Sequence, residues 1–515
     1  MSQGRKRQPD PALFVAGSEL YRHIPRDHFY TRLERALDLG FIYELTRPLY
    51  APKLGRPSLD PVVFFKCMLA GFFENVVSDT ELEYRIADSL TLRKFLGYAL
   101  DERTPDESTL RKTRQRMPEE VFEQVFRKVL DRCQEAGLLK GRVVGTDGTL
   151  IDANASMDSL RHKTLGCTYE EYVLALRRQD APEAGREEAA AADKKRGAGK
   201  ASNQEWESTT DPQARIMQHA DGHTHLSYRV DTTVDLETGV IVTTGAEVAN
   251  LSDQTDFLER VDTAEVVLAE RGLALLAVVA DKGHHSGENL AGLVERGLVG
   301  LISSPHHERG AVGFRRVDFE YDAERDLFIC PAGKELKRRA GGPSGARHYQ
   351  ARPHECRACP HFGVCTRSKT GRHLSVSDHE GEIQANRARV HAVAMRPLLQ
   401  IRRQRGEAPF GYFKGYGGLR RFSGRGLAYA QKKTLIAGAG WNLLRLLAAR
   451  TEPPPALPPI DDRIRLCRTA IRPLWKVRTA IRTPLPVSER LARISRLIEA
   501  ICPTGDSRYL LSGAC

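Results

Sequence analysis

Acidic residues almost vanish from one stretch of this 515-residue chain: between Ile383 and Lys433 there are twelve Lys or Arg and a single acid, Glu407. A surface built to hold a polyanion gains nothing from a carboxylate unless that carboxylate binds a cation that takes part in chemistry on the phosphate. Glu407 is therefore a candidate metal ligand, against the plainer possibility of an ion pair with a neighbouring Arg. Long apolar runs are also missing. No stretch of about 18 apolar residues exists to span a bilayer, and the opening MSQGRKRQPD lacks the apolar segment of a signal peptide, so a cytoplasmic protein with no membrane partner is expected. Ten cysteines in so long a chain are too few for a disulfide scaffold, and in a reducing compartment a local cluster of them points to metal instead.

What is present is ample apolar content, 41%, and a net charge of +12 with a pI near 9.2. The length predicts two to four domains, and the charge favours a nucleic acid or another polyanion as partner. Residues 1–135 read as short helices with clear starts. Asp60-Pro61 opens an apolar run to Phe73, Ser78-Asp79-Thr80-Glu81 forms a capping box, and Thr104-Pro105-Asp106-Glu107 forms a second with Pro at the first helical position. The segment after it carries Arg111 and Arg114 on one helix, which suits a helix-turn-helix-like DNA-binding module as well as a solvated helix face.

From Gly141 the pattern turns to strands. The run Arg142 to Asp147 and the run Leu275 to Asp281 are short and apolar, and each ends in Asp followed closely by Gly, as buried strands that deliver an acid to a sheet edge do. Between them, 181–210 is rich in Ala, Lys, Glu and Gly and reads as a flexible or loosely helical insertion. His225–Asp235 and Gly239–Val248 alternate about a Leu236-Glu237-Thr238 turn and predict a hairpin. An amphipathic helix capped at Ser252 or Asp253, a strand to Asp281, a helix from Gly287 to Arg296 and a strand from Leu298 to Ser303 complete a mixed α/β plan. That order of elements matches a ribonuclease H-like core, in which the first and fourth strands carry acids side by side. Asp147 and Asp281 from strands and Glu407 from a helix are three hard-oxygen donors, enough for two divalent ions about 3.5 to 4 Å apart that serve phosphoryl transfer. Asp152 is a possible substitute ligand on the opposite strand face.

The cysteines form a second pattern. Cys330, the pair Cys356 and Cys359, and Cys365 offer four thiolates for tetrahedral Zn²⁺, with His354 or His361 as alternative ligands, inside a small loop-rich unit at 306–382. Such a unit would grip DNA or brace the Glu407 helix. The adjacent pairs His284-His285 and His306-His307 read as polar loop residues, because neighbours on a strand point to opposite faces. Residues 451–515 are Pro-interrupted and basic, with a repeated Arg-Thr-Ala-Ile-Arg at 468 and 478 and a possible amphipathic helix at 491–501.

Gly145-Thr146-Asp147-Gly148-Thr149, Ala280-Asp281-Lys282-Gly283 and Glu407-Ala408-Pro409-Phe410-Gly411-Tyr412-Phe413-Lys414 resemble the three acidic motifs of bacterial insertion-sequence DDE transposases, in the branch with a cysteine cluster inserted between the second Asp and the Glu. Arg403, Glu407 and Lys414 keep the spacing of that family's third motif, with Gln400 where the family has Tyr and His284 where it often has Tyr. The resemblance implies an N-terminal helical DNA-binding domain (1–135), a ribonuclease H-like core in two parts (141–305 and 383–450), the cysteine insertion (306–382) and a basic tail (451–515). It further implies that Asp147, Asp281 and Glu407 hold Mg²⁺ or Mn²⁺, with structural Zn²⁺ at the cysteines, and that Arg403 and Lys414 contact terminal DNA, with Arg420 and Arg421 following. The activity implied is cleavage and strand transfer of element ends into target DNA by a homodimer in the synaptic complex, in a bacterial cytoplasm and on the nucleoid when DNA is bound. The alternatives are a catalytically inactive or domesticated DNA-binding descendant and an unrelated nuclease on the same core.

Overall fold

The computed structural model describes residues 20–51, 58–196, 201–250, 254–304, 313–322, 324–339 and 346–449. The basic tail with its repeat, the Ser252 and Asp253 cap and the His306-His307 pair lie outside them. The chain divides into two compact units, Met1–Ser252 with Asp262–Ala274 and Ile401–Ala456, and Asp253–Val261 with Leu275–Gln400 and Leu457–Cys515.

The first unit opens with helices whose starts follow local capping chemistry. Asp60 accepts hydrogen bonds from the Val62 and Val63 amides and Pro61 takes the first position of the Pro61–Phe73 helix. Ser78 accepts from Glu81 at the head of Asp79–Asp88. The third start falls two residues later than Thr104 would set it. Asp106 caps Glu107–Arg116 through a 2.7 Å bond from the Thr109 amide, because its carboxylate, also bonded by Ser108, reaches the third helical amide that Thr104 cannot. The Glu119–Glu135 helix buries Phe122 edge-on against Phe65, centroids 5.0 Å apart.

Six strands follow: β1 (Val143–Asp152), β2 (Leu160–His162), β3 (Trp206–Ser208), β4 (Arg215–Gln218), β5 (Thr224–Asp235) and β6 (Ile241–Val248). β5 pairs antiparallel with β1 along one edge, and along the other with β4 and then β6. The hairpin thus forms with the expected turn. Asp235, fully buried, ties its base by accepting from the Lys140 and Gly141 amides at 2.7 and 2.9 Å, and burial raises its pKa in spite of these bonds. β2 and β3 form a separate two-stranded ribbon. The insertion expected to be flexible or loosely helical contains a regular helix, Arg186–Lys195, pinned to the Tyr169–Asp180 helix by a 2.7 Å Arg177–Glu188 ion pair and by burial of Ala189. Its Ala-Glu-Lys composition has high helix propensity, which the Gly residues around it mask in the sequence.

The 23-residue helix Leu427–Ala449 packs on β6 and on the Glu119–Glu135 helix. Buried Asn442 closes the β6 edge, accepting from the Ile241 amide (2.7 Å) and donating to its carbonyl (2.9 Å), and Trp441 donates to the Gly239 carbonyl at 2.7 Å. Gly440 lets the helix approach the Pro61–Phe73 helix closely, since a Cβ there would lie 2.3 Å from the Phe72 ring.

In the second unit β7 (Ala277–Ala280) and β8 (Val299–Ile302) pair in parallel, with the Gly287–Glu295 helix between them in sequence. Asn386, buried in the Glu380–His391 helix, exchanges two hydrogen bonds with the backbone of Ile302. A five-stranded antiparallel sheet in the order β13-β12-β11-β10-β9 comprises β9 (Glu320–Asp322), β10 (Leu327–Ile329), β11 (Glu335–Arg339), β12 (Ala346–Ala351) and β13 (His373–Ser377). Its core is Phe319, Phe328, Leu336, Tyr349, Ala351, Leu374 and Val376. The fold is mixed α/β.

Candidate active site

Asp147 stands mid-way along β1, where the strand passes from four fully buried residues to half-exposed ones. It is paired in register with Thr232, and its carboxylate accepts from the Gly148 amide at 2.9 Å. Gly148 has no room for a side chain: a Cβ would come 2.5 Å from the carboxylate of Asp231, which Arg229 holds at 2.8 Å. The Asp-Gly pair thus places one acid on each face of the sheet, Asp147 on one and its neighbour's partner Asp231 on the other.

Glu407 begins the helix Glu407–Gly415, and five residues of π-helix, Arg402–Gly406, precede it. An α-helical path would set Arg403, four residues back, beside Glu407. The wider π turn brings a residue five back onto that face instead. Arg402 therefore lies between the two acids, 2.9 Å from the Asp147 carboxylate and 3.4 Å from that of Glu407. Arg402 is buried and Asp147 nearly so, while Glu407 remains exposed. Arg403 points to solvent. Arg405 anchors the segment to the β5–β6 turn by donating to the carbonyls of Leu236 and Glu237. Pro409 lies three residues past the π turn, and the helix runs on past it to Gly415.

Asp281 belongs to the second unit. It follows β7 directly and caps the 3₁₀ turn Lys282–His284, accepting from the Gly283 amide at 2.9 Å and sharing a 2.8 Å hydrogen bond with Nδ1 of His284. His284 is not a polar loop residue: it is buried, its ring 5.3 Å from that of Phe257, and it orients the carboxylate. The Lys-Gly turn after Asp281 folds the imidazole back, which adjacent histidines on a strand would not do.

Cys330, Cys356, Cys359 and Cys365 line one cavity beside the core of the five-stranded sheet, together with Glu355, His361 and Arg372. None is in a disulfide. The Lys334 amide donates to Sγ of Cys330 at 3.3 Å and the Arg372 amide to Sγ of Cys356 at 3.4 Å. Burial raises the pKa of Cys365, with Arg372 opposing it and the other three cysteines adding to it.

The candidate DNA contacts divide. Arg111 is exposed and pairs with Glu107 one turn away. Arg114 turns inward instead of facing a partner: buried, it binds Asp79 through two bonds of 2.5 and 2.8 Å and touches Met68. Helical periodicity explains the difference, since Leu110 and Thr113 make that face the inner one. Lys414 is half-buried and donates to Thr149 Oγ1 on β1 at 2.7 Å, and burial lowers its pKa although Asp152 opposes this. Arg420 and Arg421 are exposed, each tied at Nε to a backbone carbonyl, of Lys414 and Ala153. Asp152 faces His219 and His225, 3.7 Å from each. Arg402 and His284 were missed in the sequence; the Arg402-Arg403 pair held the only signal for the first, and the π turn that selects between them leaves none.

Among the described residues no helix is long and apolar enough to cross a membrane. Residues 18–116 match the family described as "Transposase domain (DUF772)", and residues 329–447 match the "Transposase DDE domain". No curated protein matches significantly. Among solved structures, the chain is similar to the piggyBac transposase in its synaptic complex with hairpin DNA, at 10% identity and a TM-score of 0.30 over 91% of this chain and 83% of that one. The chain thus carries a transposase domain near its start and a transposase DDE domain that reaches into the Leu427–Ala449 helix.

Proposed function

We propose that this transposase serves a bacterial insertion sequence: it binds the terminal inverted repeats of its element, cuts a strand with water and joins the freed 3′ hydroxyl to target DNA. The observation that carries this reading is the convergence of Asp147 and Glu407, from segments 260 residues apart in sequence, on one cationic group, Arg402. Two carboxylates that close around a guanidinium form a hard-oxygen donor set suited to Mg²⁺ or Mn²⁺. Asp147, Asp281 and Glu407 would hold the ions, which would supply activation of the attacking oxygen and charge neutralisation at the leaving one. The chain's own part is to aim these acids: the Gly148 amide orients Asp147, His284 orients Asp281, and Arg405 fixes the segment that carries Glu407.

A ribonuclease H-like core is the fold this reading requires, and three antiparallel strands β1, β5 and β6 followed by the parallel pair β7 and β8 fit its chain order. DNA would lie along the cationic residues that flank Glu407, with Arg403, Lys414, Arg420 and Arg421 as phosphate contacts and Arg111 on the N-terminal helical domain as another. Arg114 has no part in this, since its guanidinium is committed to Asp79. The four cysteines would hold a structural Zn²⁺, supported by their shared cavity and the two N–H···S bonds, and counted by metal analysis of the purified protein. Pairing of two element ends calls for two copies of the chain, working in the cytoplasm.

The test is cleavage of a duplex carrying the inverted repeats that border the coding region, with Mg²⁺ present. Wild-type protein is expected to nick and join it, and Asp147→Ala, Asp281→Ala and Glu407→Ala to lose at least a thousandfold in rate while still binding the ends. Normal cleavage by any one variant removes that residue from the site.

A further inference from the structure

We propose that Tyr416 is a stacking platform for an unpaired DNA base, set on the same ridge that holds Glu407. This rests on the reading of the chain as a DNA-cutting enzyme and adds a contact that the acids and cations do not provide. Tyr416 is 67% exposed, so its ring face is open to a ligand. Tyr416 follows the Glu407–Gly415 helix directly, two residues after Lys414 and four before Arg420, whose Nε bonds back to the Lys414 carbonyl at 2.8 Å. Arg420, Arg421 and Arg425 are all exposed beside it in sequence.

The ring is exposed without being loosely held. The Tyr416 and Gly417 amides both donate to the Tyr412 carbonyl, at 2.7 and 2.8 Å, and the Leu419 amide donates to Phe413 at 2.9 Å. Gly418, in the left-handed region at φ 68°, donates to Asn75 Oδ1 at 2.9 Å, and Gly417 packs so close to Phe72 that a Cβ would lie 2.6 Å from its ring. Below the platform, Tyr412 lies 5.6 Å from Tyr416, 5.8 Å from Trp441 and 5.5 Å from Phe72. An exposed aromatic face backed by other rings, in a segment rich in Arg and Lys, is the combination that binds single-stranded nucleic acid: cations follow the phosphates while the ring takes a base. A duplex presents no base face to it. The ligand is therefore a base outside the helix, as at a frayed or freshly cut end.

Tyr84 supplies the contrast, since it is as exposed, at 66%, but its helix Asp79–Asp88 carries four acids. The experiment measures binding of the full-length protein to a 15-nucleotide single strand that contains 2-aminopurine, and to a duplex of the same sequence. Tyr416→Ala is expected to weaken single-strand binding on the order of tenfold and abolish quenching of the 2-aminopurine, with duplex affinity unchanged. Tyr416→Phe should retain the binding, and Tyr84→Ala should behave as wild type. Wild-type affinity in Tyr416→Ala, an equal loss for single strand and duplex, or a Phe variant as weak as Ala would each overturn the platform. Wild-type protein that binds neither DNA would overturn the DNA reading along with it.

Discussion

Arg402 illustrates how much one side chain decides. Its guanidinium neutralises two carboxylates that would otherwise repel each other, and it stands where a shared cation would. Arg402→Gln removes the guanidinium that both acids share, so divalent ions should bind more tightly. We expect the Mn²⁺ dissociation constant from calorimetry to fall severalfold; an unchanged value would show that guanidinium and metal do not share the position. The sequence displays Arg402 and Arg403 as equals, and only the backbone between them and Glu407 tells them apart.

At the scale of elements, the helix starts of the first unit were legible because a cap is a local event: Asp60 and Ser78 satisfy amides two or three residues on. The direction in which a charged helix faces was not legible, as Arg114 shows. Its partner Asp79 lies 35 residues earlier, on another helix. Burial alone would raise the carboxyl pKa of Asp79, but the bonds from Arg114 override it and hold the group below its ordinary value of 3.8. The sign follows: a carboxyl that titrates lower in the folded state contributes stability in full above its unfolded pKa, about 3.9, and loses it as pH falls through the folded value. Hydrogen-exchange protection factors, corrected for the intrinsic rate at each pH, should therefore fall in the Asp79–Asp88 and Glu107–Arg116 helices below about pH 4 in wild type. Arg114→Ala, which strands a partly buried carboxylate, should weaken both helices by about 3 kcal/mol near neutral pH and reverse that acid dependence, since burial then raises the Asp79 pKa. Protection in Arg114→Ala equal to wild type would mean that the pair contributes nothing.

For the molecule as a whole, charge is the governing quantity. With a net +12 and its cations concentrated about Glu407, binding to duplex DNA should depend steeply on salt, each phosphate contact contributing about −0.9 to the slope of log K against log salt. Arg420→Gln and Arg421→Gln should each reduce that slope by about one, whatever the DNA sequence. Slopes measured by fluorescence anisotropy that do not change in either variant would place the DNA elsewhere. The same comparison for Arg114→Gln should give the wild-type slope, because its charge is turned inward.

The sequence by itself determined the local events: the caps, the hairpin about Leu236 to Thr238, the α/β alternation, and three acids whose flanking glycines and cations set them apart. Those rest on interactions within a few residues and on periodicity, which composition and order record directly. The tertiary structure alone decided which Arg meets the acids, that His284 orients Asp281, and that Tyr416 stays exposed above Tyr412, Trp441 and Phe72. Each of these depends on a side chain hundreds of residues away or on a turn of backbone that neighbouring residue types do not specify, and so on packing that exists only once the chain has closed on itself.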